Sequence, residues 1–132
     1  MLHKFMNKNS DSISSHVELG KKGEDIAARY LVGKGYKILH RNWRYLHKEL
    51  DIVATQNKYL VVVEVKTRLS DYWEEPKEAV RRKKQKNIIE AADEYVTRYN
   101  INLDVRFDII SILISNGKVE VEHIEDAFYP TL

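Results

Sequence analysis

The 132 residues contain no cysteine. That excludes disulfides, cysteine-ligated zinc and a cysteine nucleophile. It suits a reducing compartment, and a cytoplasmic location is the expectation. Long apolar runs are missing too. None approaches the roughly 18 residues a membrane span needs, so no membrane partner is expected. The first residues lack the apolar centre of a signal peptide. There are no internal repeats and no linker that divides the chain. Net charge is nearly absent: +2 is too small to argue for a polyanion partner. His3, His16, His40, His47 and His123 are scattered without metal-ligand spacing.

What is present fits one compact domain with a real core. Hydrophobic residues make up 43% and charged residues 32%, the mixture of ordinary globular protein. The positive charge is clustered. Arg81-Arg82-Lys83-Lys84-Gln85-Lys86 is a dense basic block, and Lys37, Arg41, Arg44, His47 and Lys48 form a looser one among Tyr36, Trp43 and Tyr45. Such patches can track phosphates, and Trp43 and Tyr45 can stack on bases. Solvated surface and ordinary packing are the competing readings.

Residues 1–16, rich in Ser, Asn and Lys, read as a disordered leader to a single domain over 17–132. A helix is expected from Val17 or Glu18 to about Val32, with Gly33 and Gly35 as its stop. Strands are expected over Tyr36–Tyr45, Glu49–Ala54 and Tyr59–Thr67, with turn chemistry in Thr55-Gln56-Asn57-Lys58. A polar loop, Arg68–Glu75, leads to Pro76 in the first turn of a helix reaching Tyr99. Strands at Val105–Ile114 and Val119–Ile124 flank a Ser115-Asn116-Gly117-Lys118 hairpin turn. The order α-β-β-β-α-β-β indicates an α/β protein with a mixed sheet flanked by helices.

The stretch "ELDIVATQNKYLVVVEVK" sets Glu49, Asp51, Glu64 and Lys66 into apolar strands. A two-residue turn at Gln56-Asn57 places Asp51 opposite Val62 and Glu49 opposite Glu64. A turn at Asn57-Lys58 places Asp51 opposite Glu64 and Glu49 opposite Lys66. Either way the four polar groups share a face, because opposed residues point the same way. An odd-length loop without a bulge separates them. A carboxylate cluster beside an apolar run needs a counter-charge. A divalent cation serves, since Mg²⁺ takes oxygen ligands, and so does Lys66 acting as a salt-bridge partner. Glu24, three residues before Ala27 and seven before Leu31, shares the core-facing side of its helix. It is placed to overhang the carboxylates, or is simply favoured early in a helix by the macrodipole.

Asp51, twelve residues, then Glu64-Val65-Lys66 resembles the PD-(D/E)xK nuclease signature. That motif is degenerate, but its surroundings are specific. "LGKKGEDIAARYLVGKGYKILHRNWR", "KELDIVA", "VVVEVKTR", "EEPKEAV", "KKQKNIIEAADEY" and "RFDIISI" follow in order the pattern of the bacterial YraN-like family, which is similar to archaeal Holliday-junction resolvases. The resemblance spans roughly Leu19 to Phe128. It departs at Lys48, where the family usually has glycine, and at Trp73-Glu74, where an aromatic-Gly pair is common.

The resemblance implies a restriction-endonuclease-like fold and an Mg²⁺- or Mn²⁺-dependent endonuclease acting on DNA, with branched or junction DNA as a candidate substrate. Asp51, Glu64 and the Val65 carbonyl then hold the metal. Lys66 positions water or stabilises developing charge, and Glu24 completes the site. Glu49 supports these groups or pairs with Lys48 or Arg44. Arg44, Lys48, Arg68, Lys83, Lys84 and Lys86 are the nucleic-acid contacts. Archaeal resolvases act as dimers, so the resemblance allows a homodimer. A nucleic-acid-binding module without catalysis is the alternative, and a protein-interaction domain a third reading. Asp108 and Phe107 are expected to be structural.

Overall fold

A computed structural model describes residues 2–69 and 81–130, with side chains from Ser15 onward. Its elements are α1 (Leu2–Gly33), β1 (Lys37–Tyr45), β2 (Lys48–Gln56), β3 (Tyr59–Leu69), α2 (Arg82–Arg98), β4 (Asp104–Ser115) and β5 (Lys118–Phe128). The five strands form one mixed sheet in the order β1-β2-β3-β4-β5. Only the β3–β4 pair is parallel, because α2 lies between them as a crossover. The α/β expectation and its element order hold.

Two helix boundaries differ from the sequence reading. α1 begins at Leu2, not at Val17 or Glu18, and takes in most of the expected leader. Residues 2–16 contain neither proline nor glycine, so nothing there stops the helical ladder from running back. α2 begins at Arg82, because Arg81 is extended at φ −73° and ψ 161°. A continuous helix from Pro76 is therefore excluded. The cationic start of α2, Arg82-Lys83-Lys84, gains nothing from helical spacing. Pro76 itself and Trp73-Glu74 lie outside the described residues.

The helices cover opposite faces of the sheet. Ala27, Ala28 and Leu31 of α1 pack with Ile52, Ala54, Val61, Val63, Ile110 and Ile112. Ile88, Ala91, Ala92 and Tyr95 of α2 pack with Trp43, Leu50, Val53, Leu60, Val62, Phe107 and Ile109. Apolar residues on both faces of β3 explain its unbroken valine run. Trp43 is buried and donates its indole N–H to the Tyr99 hydroxyl at 3.2 Å, so it is core, not a base-stacking surface.

The β2–β3 hairpin turns at Asn57-Lys58, the second of the two registers considered. Asn57 adopts a left-handed φ of 54°, which asparagine tolerates. Pairing runs from Gln56↔Tyr59 to Ile52↔Val63 and ends there. Strict alternation would then send Leu50 to the α1 side with Ile52. Leu50 instead packs on the α2 side with Val53. The alternation of β2 breaks at Asp51. The four charges therefore do not share one face. Glu64 lies on the Val62 side, under α2, while Glu49 alternates with Leu50 to the α1 side and Asp51, at the break, acts on both Glu64 and Glu24.

Candidate active site

The site forms where β2 and β3 part. Asp51 Oδ2 accepts the Val65 backbone N–H at 2.9 Å, so a side chain takes over where the ladder stops. Glu64 is the next residue of β3 and only 5% exposed. Burial pushes its carboxyl up to about 9. A hydrogen bond with Asp51 and that residue's charge act in the same direction, against Lys84 and Lys66. The Glu64 carboxyl thus keeps its proton at neutral pH. Lys84 Nζ stands 3.7 Å from Glu64 Oε1.

Glu24 reaches the same place from α1. Its helix can approach because residue 23 is glycine: a Cβ there would overlap the Thr67 side chain of β3. Burial raises the Glu24 carboxyl, with Asp51 and Glu49 adding to it and Arg41 and Asn42 opposing. Glu24 Oε1 is buried without a hydrogen-bond partner. An oxygen left so is costly unless a ligand or water meets it.

Two cavities flank these carboxylates. One of about 350 Å³ is lined by Lys66, Arg81, Lys83, Lys84 and Asn87. The other, of about 530 Å³, lies between α1 and β1 and is lined by residues including Lys21, Glu24, Asp25, Arg41 and Asn42. The structure therefore brings together Glu24, Asp51, Glu64, Lys66 and Lys84, and places Lys83 beside them. Other expected residues are engaged elsewhere. Arg44 bonds Glu49 at 3.1 Å, and Lys48 bonds Glu90 of α2 at 2.6 Å. The cation standing in place of the usual glycine is thus drawn to α2. Arg68 reaches Ser111 of β4 at 3.4 Å. Lys86 lines a separate cavity with Ile89, Phe128 and Tyr129.

Among the described residues, no three His, Cys, Asp or Glu side chains gather into a group able to hold a metal ion. Asp51 and Glu64 still make a two-carboxylate pair, with the unpartnered Glu24 oxygen nearby. That donor set suits Mg²⁺, which takes one or two carboxylates and completes its shell with water and phosphate.

Sequence reasoning gave no role to His123, which belongs to a second cluster. His123 Nε2 lies 2.7 Å from Asp108 Oδ2 and its Nδ1 lies 3.2 Å from the Tyr30 hydroxyl. Arg106 makes two 2.9 Å bonds to Asp108 and donates to the Tyr36 hydroxyl at 2.8 Å. The Asn116-Gly117 turn was the available signal. It sets Ile110 opposite His123, which leaves His123 and Asp108 diagonal on one face.

The architecture defines an α/β protein whose splayed strands carry a carboxylate pair, one member buried, beside basic side chains. Comparison with known proteins gives the family. A profile of the uncharacterised protein family UPF0102 matches residues 23–112. A UPF0102 protein of Bacteroides thetaiotaomicron is 49% identical over 120 residues, covering 91% of this chain and 99% of the relative. One from Phocaeicola vulgatus is 47% identical with the same coverage. One from Flavobacterium psychrophilum is 41% identical over 117 residues, covering 89% and 98%. The chain belongs to the UPF0102 family, which is the YraN family of the sequence resemblance.

Proposed function

We propose that the protein is a metal-dependent endonuclease that hydrolyses phosphodiester bonds in DNA, with branched or junction DNA as its candidate substrate. The carrying observation is the Asp51–Glu64 pair: two adjoining carboxyl groups, one of them buried and protonated at neutral pH, beside a cavity lined by four cations. Two such groups brought together at the cost of burial suit a site in which a cation replaces the proton. Asp51, Glu64 and the Val65 carbonyl would hold Mg²⁺ or Mn²⁺, which supplies Lewis-acid charge against a phosphodiester.

The chain's own residues supply the rest. Lys66 offsets negative charge developing on the scissile phosphate. Lys83 and Lys84 hold the nucleic-acid backbone without reading sequence. Glu24 keeps one acceptor oxygen free of protein partners and orients water at the site. No helix among the described residues is long and apolar enough to cross a membrane, and a cytoplasmic DNA substrate fits this reading.

The test is incubation of the pure protein with branched, flapped and single-stranded DNA in Mg²⁺ or Mn²⁺, beside Asp51→Ala. Cleavage that is lost in the variant is the expected result. Binding without cleavage of any substrate overturns the enzyme and leaves a nucleic-acid-binding module, the reading favoured by the basic cavity alone.

A further inference from the structure

Strand β1 changes sides in its middle. Arg41 points to α1, where it bonds Asp25 at 2.7 Å. Trp43, two residues on, is buried under α2. Residues i and i+2 of a regular strand share a face, so the alternation breaks at Asn42. That residue has φ 52°, in the left-handed region. Asparagine is one of the few residues besides glycine that sit there readily.

The break in β1 coincides with the break in β2. Pairing passes from Arg41↔Ile52 to Trp43↔Leu50, and the register between them sets Asn42 across from Asp51. Neighbouring strands thus reverse together, which turns both Asn42 and Asp51 out of the ladder. Asn42 lines the α1–β1 cavity together with Glu24, and its amide favours the charged form of the Glu24 carboxyl. The register is the same on both sides of this break, so the two strands kink together without an inserted residue.

We propose that Asn42 is a positioning residue: its left-handed backbone opens β1 and β2 opposite Asp51, and its amide holds Glu24 toward the carboxylate pair. This deepens the endonuclease reading and rests on it. Asn42 touches neither the scissile phosphate nor the cation. It acts through Glu24, as partners that orient metal-site groups do.

Asn42→Gly keeps the backbone conformation and removes the amide, so the chain should fold with a nearly unchanged melting temperature. Calorimetric titration with Mg²⁺ or Mn²⁺ should show affinity lowered about tenfold, the size typical of losing such a partner. Asn42→Asp, which sets a carboxylate against Glu24, should be at least as weak. In a Glu24→Gln background, Asn42→Gly should cost nothing further. Unchanged affinity in Asn42→Gly, or an undiminished loss in the Glu24→Gln background, overturns the proposal.

A wild-type protein that takes up neither cation sinks the metal site, and a second readout then judges Asn42 separately. The ¹³C resonance of the Glu24 carboxyl should move in Asn42→Gly relative to wild type. A resonance that stays in place shows that Asn42 does not hold Glu24.

Discussion

Glu64 and Asp108 are buried carboxylates on adjacent strands, one step apart in register and on opposite faces of the sheet. Val63 pairs with Asp108, and Glu64 pairs with Ile109. Burial pushes both groups up, yet they end on opposite sides of the ordinary carboxylate range. Asp108 is wholly buried, but His123, Arg106 and the Asp126 backbone N–H hold its pKa down. Glu64 has another carboxylate acting on it and a half-exposed lysine at 3.7 Å. Partners, not depth, separate the two. A carboxylate with every acceptor site used is part of the framework. One whose cationic partner is distant and half exposed is held ready for something from outside.

Removing each group should expose this difference, and the largest effect belongs to Asp108. Asp108→Ala leaves the Arg106 guanidinium buried without its main partner and should cost about 3–5 kcal/mol in urea unfolding. Protonating Asp108 removes the same bonds. Its lowered pKa stabilises the fold above the ordinary value of 3.8, and that stability is lost as pH falls below it. Gly23→Ala should come next. The added methyl meets Thr67 and should cost about 1–3 kcal/mol by overpacking, with α1 and Glu24 displaced from the site.

Glu64→Gln should act with the opposite sign, stabilising the protein by about 1–2 kcal/mol at pH 8, as changes at strained functional positions do. The folded-state pKa of Glu64 is raised, so the unfolded chain releases this proton first. Wild-type stability from this group is complete below 4.5 and falls as pH rises toward about 9. Glutamine does not titrate. The gap between variant and wild type should therefore be near zero at pH 4.5 and widen across that window. A loss comparable to that of Asp108→Ala would erase the contrast and make Glu64 structural as well.

Much of this arrangement was legible in the chain. The spacing of apolar runs and the Asn116-Gly117 turn give the strands, and the two-residue turn options included the observed one at Asn57-Lys58. The motifs around Asp51, Glu64 and Lys66 gave the family. The side on which Asp51 points was not legible. It depends on a reversal in β1 at Asn42, and period-two reasoning along β2 alone cannot see its neighbour bend. The early start of α1 left a signal in the absence of proline and glycine before Gly20. Low apolar content outweighed it, because periodicity reports burial and not helicity. The engagement of Lys48 with Glu90 joins β2 to α2 across 42 positions of sequence and left no local trace.

The smallest change in stability should come from Lys84→Ala. Lys84 is half exposed, and its 3.7 Å contact with Glu64 is long for a strong ion pair. Urea unfolding should move by less than about 1 kcal/mol, the range of exposed pairs. DNA binding should respond instead. Losing one phosphate-contacting cation weakens binding across sequences and lowers the slope of log K against log salt by about 1. Lys86→Ala, in a separate cavity, should leave that slope nearer the wild-type value. Equal slopes for the two variants would spread the anion-binding surface evenly along α2. Unequal slopes would confine it to the cavity beside Glu64, where a lysine that adds little to the fold serves the ligand.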